Sequence, residues 1–470
     1  MIDGSKIVHL LTHLRKDWRR RFRRRPHRRH FHLALGFFYW TPSYVLALAS
    51  LSAYAKARVP GLRVTLVPIQ AESSPSDFVC EVLDLDPDLL GISVASPVWP
   101  RLVPYLTKLG RQFPELPIVI GGYQAILSPA ETISHPAVRY VCSGEGEQPL
   151  VDLILRFQTG DEAAVSGLWE KTASGEIRTS GPVLADLSKL PFPDYSLYAD
   201  RQDLRYWGPH GIESSRLLTV PVLTGRGCPH RCTYCNNTSL LNIYKRTGKY
   251  LRKYRVESVI EGLVNLKHRY GVEYFQFADE MFLSDMVYAR QCLRAYQKDV
   301  CLPFSIFSHV ERMTPEFCEF AAGAGCHSMW FGVESGSESY RRRYLNRTMS
   351  NEEILRAAQN ARRAGIKLMI FNMIGMPFES KGDMLRTIEL TRQIDPERAV
   401  FGQYVPLPAT PLYELARESG LLLPTEEGRQ MWELGHLNLR EHPLGATRAE
   451  LSEITQEIWR YHAENNRFDS

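Results

Sequence analysis

The sequence predicts two α/β units in tandem, a doubly wound parallel-sheet domain and then a partial (β/α)6 barrel, closed by a helical C-terminal tail. Three observations carry this expectation. Short apolar runs alternate with amphipathic stretches through residues 31–160 and again through 216–410, and buried strands separated by helices imply parallel sheets with crossover helices. Between them lies a stretch rich in Gly, Ser, Thr and charge, ending in Leu190-Pro191-Phe192-Pro193-Asp194, which no helix continues through. Finally, 470 residues exceed what one core of ordinary size fills.

In the first domain, strands are expected at 31–38, 63–68, 89–95, 117–121 and 139–142, with helices at 42–58, 76–83, 102–113 and 147–157. A doubly wound sheet binds ligands at the carboxyl ends of its strands, here near 39–43, 93–99, 121–124 and 143–147. Residues 161–215 read as a linker with a hairpin-like turn at Gly175. In the second domain, strands are expected at 217–224, 274–277, 304–308, 328–332 and 367–374, with helices at 256–270, 287–298, 315–324, 351–364 and 382–394. Chemistry in such a barrel sits at the carboxyl-terminal rim. Residues 411–470 read as mostly helical and charged.

Composition excludes disordered and fibrous classes, with 44% hydrophobic and 23% charged residues. The net charge of +5 is uneven: residues 1–30 hold eleven Lys or Arg against Asp3 and Asp17, so the other 440 residues are mildly acidic. The basic arm has three open readings. Ile7, Val8, Leu11, Leu14 and Trp18 suit an amphipathic helix on anionic lipid. Clustered Arg also attracts nucleic acid, though no recognition module follows, and a solvated tail is the third reading. The uncharged run 33–55 is long enough to span a bilayer, but Pro42 between Thr41 and Ser43, and several Ser and Tyr, favour strand, turn and helix. Nine cysteines are too few and irregular for a disulfide framework, so a cytoplasmic setting is expected, with the arm at most touching the inner membrane surface.

Three of those cysteines crowd into Gly225-Arg226-Gly227-Cys228-Pro229-His230-Arg231-Cys232-Thr233-Tyr234-Cys235, just past a strand. Three thiolates so close wrap one face of a metal. A structural zinc wants a fourth ligand, and His230 is awkwardly placed between two cysteines; a cubane held by three cysteines leaves one iron open. Cys292, Cys301, Cys318 and Cys326 do not form a second cluster set, and the fourteen histidines give no metal pattern. His309, at a strand end facing the rim, is the histidine most worth substituting, with a core or solvated histidine as the favoured reading.

The Cys-x3-Cys-x-aromatic-Cys pattern resembles the signature of the radical S-adenosylmethionine (SAM) enzymes. Supporting segments follow at strand ends: Phe277-Ala278-Asp279-Glu280, Gly332-Val333-Glu334-Ser335-Gly336 with Asn346-Arg347, Met373 to Glu379, and Pro406 to Tyr413, where Ala409 replaces the usual Gly. The resemblance implies a [4Fe-4S] cluster on Cys228, Cys232 and Cys235, whose open iron chelates SAM and whose electron cleaves it to a 5′-deoxyadenosyl radical. It further implies SAM contacts from Tyr234, Asp279, Glu280, Glu334, Ser335, Arg347 and Gly375. Alternatives stay open: only one of Asp279 and Glu280 can face the site, since adjacent strand residues point oppositely, Glu334 and Arg347 also suit a structural ion pair, and Tyr234 either packs the loop or touches adenine.

The first domain resembles the cobalamin-binding (B12-binding, Rossmann-like) domain that precedes the barrel in one large class. The marks are Gly121-Gly122, Pro136 to Glu147 and the Leu190-Pro191-Phe192-Pro193-Asp194-Tyr195 linker. The implied cobalamin contacts are Ser93, Ser96, Gly121, Gly122, Gly144, Glu145 and Glu147. No Asp-x-His-x-x-Gly occurs, so no histidine is expected below cobalt. Together these imply a methyltransferase at an unactivated carbon, or phosphorus, of a small-molecule or lipid substrate. Cobalamin would carry the methyl group, and a flavodoxin- or ferredoxin-type donor would supply electrons. Oxidative cyclisation or ring rearrangement is the alternative chemistry, and a cobalamin or redox sensor the non-enzyme one.

Overall fold

The computed structural model describes residues 30–39, 46–70, 73–199, 217–424 and 439–465. The basic arm, residues 40–45 with most of the strand-end segment expected at 39–43 and the start of the helix expected at 42–58, and the parts of the linker and tail at 200–215, 425–438 and 466–470, lie outside the described residues. Two compact units emerge: residues 1–185 with 193–202, and 186–192 with 203–470.

In the first unit, β1 (His32–Tyr39), β2 (Arg63–Gln70), β3 (Leu89–Ser93), β4 (Ile118–Gly121) and β5 (Tyr140–Cys142) form a parallel sheet of order β2-β1-β3-β4-β5. The order reverses between β1 and β3, which is the switch point where doubly wound folds hold ligands. Apolar strands and the helices Pro75–Leu85 and Trp99–Gln112 bury one core, including Val67, Ile92, Ile120, Leu102 and Leu106. The first of these helices starts at a capping box, Ser74 and Asp77 exchanging bonds with each other's backbone. The Gly175 turn does more than the sequence suggested: β6 (Leu168–Lys171) and β7 (Ile177–Arg178) extend the sheet antiparallel beyond β5. Near the linker's end, Asp194 accepts hydrogen bonds from Ser52 Oγ (2.7 Å) and Lys56 Nζ (2.6 Å).

Gly122, just past β4, has φ +86°, and an added Cβ would lie 2.7 Å from Val94 O and 2.8 Å from Val94 N. The left-handed backbone alone costs an alanine about 1–2 kcal/mol. Gly122→Ala should therefore destabilise this unit by about 2 kcal/mol, read as a lowered melting temperature.

In the second unit, β8 (Thr219–Val222) begins a parallel sheet, while β9 (Gly225–Arg226) pairs antiparallel with β10 (Arg252–Lys253). Then β11 (Tyr274–Phe277), β12 (Phe304–Phe307), β13 (Cys326–Glu334), β14 (Lys367–Ile374) and β15 (Arg398–Gln403) join β8 in the order β8-β11-β12-β13-β14-β15. All neighbours are parallel and the first and last strands do not pair, so this is a partial (β/α)6 barrel. The apolar alternation misses β15 because most of its residues stay partly exposed. The tail is helical at Pro411–Glu418 and Arg448–Glu464; the latter docks on helix Lys381–Ile394 through Lys381 with Glu453 and Arg392 with Glu457. Among the described residues, no helix is long and apolar enough to cross a membrane.

Candidate active site

The cysteine loop leaves the carboxyl end of β8 and is held from two sides. On one side, Gly225 and Gly227 admit the chain at 250–253: added Cβ atoms would meet Arg252 O at 2.5 Å and Tyr250 O at 2.9 Å. On the other, Thr233 N–H donates to Leu345 O (3.2 Å), Thr233 Oγ1 to Tyr344 O (2.5 Å), and Asn346 Nδ2 to Arg231 O (2.8 Å). That second anchor is a π-helical turn, Arg341–Leu345, which ends at Asn346 with φ +52°. Asn tolerates this left-handed backbone better than most residues, and the reversal delivers Arg347 to the loop.

All three thiols are free, with Cys228 and Cys232 buried. Burial pushes the Cys228 thiol up to about 12, and negative charge on Cys232 and Cys235 would push it further, so the three sulfurs share one locale. Main-chain N–H groups of His230 and Asn237 point at Cys228 and Cys235, and Asn237 Nδ2 lies 3.8 Å from Cys235 Sγ. A soft donor set with N–H groups aimed at the sulfurs fits an iron-sulfur cluster. Arg347 Nη1 lies 3.5 Å from Cys232 Sγ and 3.5 Å from Tyr234 Oη.

Arg347 is 7% exposed and its Nε has no partner. Across from it, Tyr234 Oη donates to Glu334 Oε1 at 2.9 Å. Glu334 sits at φ +68°, where the β13–β14 register shifts, and its carboxylate folds back over Gly332: a Cβ there would lie 2.0 Å from Glu334 Oε1. Glycine at 332 is thus what lets the acid face the loop. The two charges respond differently to shared burial. At Glu334 burial raises the carboxyl despite Arg347, whereas at Arg347 the effect of burial is outweighed by Tyr234, Glu334 and Cys232.

Asp279 and Glu280, which lie in the turn just past β11 rather than on the strand, have different surroundings. Asp279 is buried and saturated, accepting from Thr224 N–H (3.0 Å) and Thr224 Oγ1 (2.8 Å) and pairing with Lys253 Nζ at 3.4 Å. It anchors the base of the cysteine loop. Glu280 is exposed as a residue, but its carboxyl group lies among protein atoms, which with the Asp279 charge raises it; Oε2 accepts from Gly227 N–H at 3.2 Å. Asp279→Ala should cost about 3 kcal/mol by leaving Lys253 without its carboxylate, lowering the melting temperature. Glu280→Gln, which keeps an acceptor for the Gly227 N–H, should leave the melting temperature unchanged.

Ser335 is fully buried, its oxygens engaged by Ser337 N–H and by the guanidinium of Arg341, a fully buried residue that the sequence did not single out. Gly375 has φ +71° and, with Met376, turns its N–H toward the buried Glu379 carboxylate. Ala409 adopts φ +64°, the conformation a glycine would take freely, and accepts from Ser239 Oγ at 2.6 Å.

In the first unit, the strand-end residues separate into two groups. Ser93, Ser96, Gly121 and Gly122 gather at the ends of β3 and β4; Gly121 has open space beside it and the buried Ser96 Oγ has no partner. Such an unmet hydroxyl and bare backbone fit a polar cofactor edge. Gly144, Glu145 and Glu147 instead serve the protein: Gly144 packs on Val183, Glu145 accepts from Ala185 N–H (2.7 Å), and Glu147 accepts from Ser50 Oγ (2.8 Å).

Comparison with known proteins accords with this architecture. Residues 222–391 match the Radical SAM superfamily and residues 41–154 the B12 binding domain. An uncharacterized methyltransferase of Pyrococcus horikoshii is 26% identical over 354 residues, covering 74% of this chain and 73% of that protein. The cytidylyl-2-hydroxyethylphosphonate methyltransferase of Streptomyces wedmorensis is 26% identical over 334 residues, with 65% of this chain spanning 60% of that one. Among solved structures, the radical SAM methyltransferase TsrM of Kitasatospora setae superposes with a TM-score of 0.64 at 19% identity, covering 82% of this chain and 76% of that one.

Proposed function

We propose that this chain, a radical SAM superfamily member with a B12 binding domain ahead of its barrel, is a methyltransferase. It would act on an unactivated carbon, or phosphorus, of a small-molecule or lipid substrate. The observation that carries this reading is the convergence of three free thiols with Arg347, Tyr234 and Glu334 at the carboxyl-terminal rim of a partial barrel. Methyltransferase relatives over most of the chain support it.

When bound, the cluster and SAM supply a hydrogen-abstracting radical and cobalamin supplies a transferable methyl group. Cys228, Cys232 and Cys235 would hold the cluster. Arg347, with its unpartnered Nε, suits the SAM carboxylate, and Glu280 suits the amino group. Glu334 and Tyr234 form the adjoining wall. Ser93, Ser96, Gly121 and Gly122 would hold cobalamin by backbone and hydroxyl contacts. The apolar cluster of Tyr340, Leu345, Met376 and Tyr404 excludes water behind this wall, which protects reactive species. A flavodoxin- or ferredoxin-type donor would deliver the electron, and the basic arm would at most make peripheral contact with an anionic membrane surface.

The test is incubation of the cluster- and cobalamin-loaded protein with SAM and a strong reductant. Release of both 5′-deoxyadenosine and S-adenosylhomocysteine is expected. 5′-Deoxyadenosine alone would favour the cyclase-type reading, and neither product would overturn the proposal.

A further inference from the structure

Two histidines and a carboxylate meet beside the cysteine loop without a role in the chemistry above. His230 lies in the loop, between Cys228 and Cys232, and His309 follows β12. Their rings stack with centroids 4.2 Å apart and planes within 21°. His309 is 8% exposed, and both His309 Nδ1 and His230 Nε2 are buried without a hydrogen-bond partner. Two polar nitrogens left unmet in one place are an uncommon and costly arrangement. Glu311 brings a carboxylate oxygen to 3.7 Å from His309 Nδ1. One donor atom from each of the three residues lies within 4.8 Å of the other two.

We propose that His230, His309 and Glu311 form a binding site for a divalent cation of the zinc class, distinct from the cysteine-held centre. Two imidazoles and one carboxylate are a donor set that zinc accepts, and they leave at least one coordination position open. Ligands about 2.1 Å from such an ion sit roughly 3.4 Å apart, so a modest splaying of the two rings and a swing of Glu311 close the site. Glu311 supplies the negative charge that a cation needs there, set against the guanidinium charges of Arg312 and Arg347, which also act on the two rings. The cation would tie the cysteine loop to the end of β12 and answer both unmet nitrogens at once.

The probe is zinc alone, added to anaerobically reconstituted, cluster-loaded full-length protein, which is then desalted and analysed for zinc and iron by mass spectrometry. About one zinc per chain is expected with no loss of iron. His309→Ala should abolish this uptake while keeping the cluster absorption. Glu311 is mostly exposed on its side chain, so Glu311→Gln is not expected to disturb folding; it should weaken zinc binding about tenfold or more, since even outer-shell partners of metal sites cost that much. No zinc in the wild type, equal zinc in both variants, or zinc gained only as iron is lost would each overturn the proposal. The last result would place zinc on the cysteines instead.

Discussion

Cys232→Ala is expected to emerge from anaerobic reconstitution without cluster absorption and with SAM cleavage reduced to background. Cys232 is buried, its carbonyl is fixed by Thr238 Oγ1 at 2.8 Å, and its sulfur faces Arg347. Among the described residues no other cysteine is part of this loop, so the two remaining thiols cannot complete a three-cysteine cubane. The substitution removes a small side chain from a loop held by Thr233, Asn346, Gly225 and Gly227, so the fold should persist and its melting temperature should change little. Absorption and iron content retained at wild-type levels would contradict the assignment. A wild-type protein that binds zinc at these thiols but never cleaves SAM would support the zinc-knuckle reading instead.

Arg347→Met should have the second-largest effect, and on two observables. Removing one member of a buried charged set leaves the other stranded, which costs about 3 kcal/mol at the lower end of the usual range. The lower end applies because burial already raises Glu334, allowing the stranded carboxylate to take up a proton. The melting temperature should fall, and SAM affinity should fall with it. Arg347→Lys separates the two effects: it restores a positive charge but not the planar fork that meets the Gly332 carbonyl, Tyr234 and Cys232 together. Stability should largely return while SAM affinity stays reduced. Full recovery of both would mean that Arg347 contributes charge alone.

Much of this was legible in the sequence, because the signals were local. Strands of the two sheets follow apolar runs, the cysteine loop is written in eleven consecutive residues, and Gly332-Val333-Glu334 marked the strand end where the acid turns inward. What the sequence concealed depends on packing between distant segments. Asp279 looks like a rim acid, yet its partners are Thr224 and Lys253. Gly144 and Glu145 stand at a strand end, yet the returning chain at 183–185 occupies them. Arg341 opens a run of three arginines that carries no motif, yet it is fully buried, with its guanidinium on the Ser335 and Met349 carbonyls. His230 and His309 are 79 positions apart, and only the folding of the segments after β8 and β12, strands that β11 separates in the sheet, brings their rings together at one rim.

The six-stranded sheet leaves β8 and β15 unjoined. The gap between them is bridged at the rim by the segment after β15: Leu412 N–H donates to Thr233 O (2.9 Å) and Ser239 Oγ to Ala409 O (2.6 Å). The cysteine loop is therefore tied to the far edge of the sheet without a closing ladder, and a substitution in the stretch after β15 reaches the thiols through two hydrogen bonds rather than through a strand.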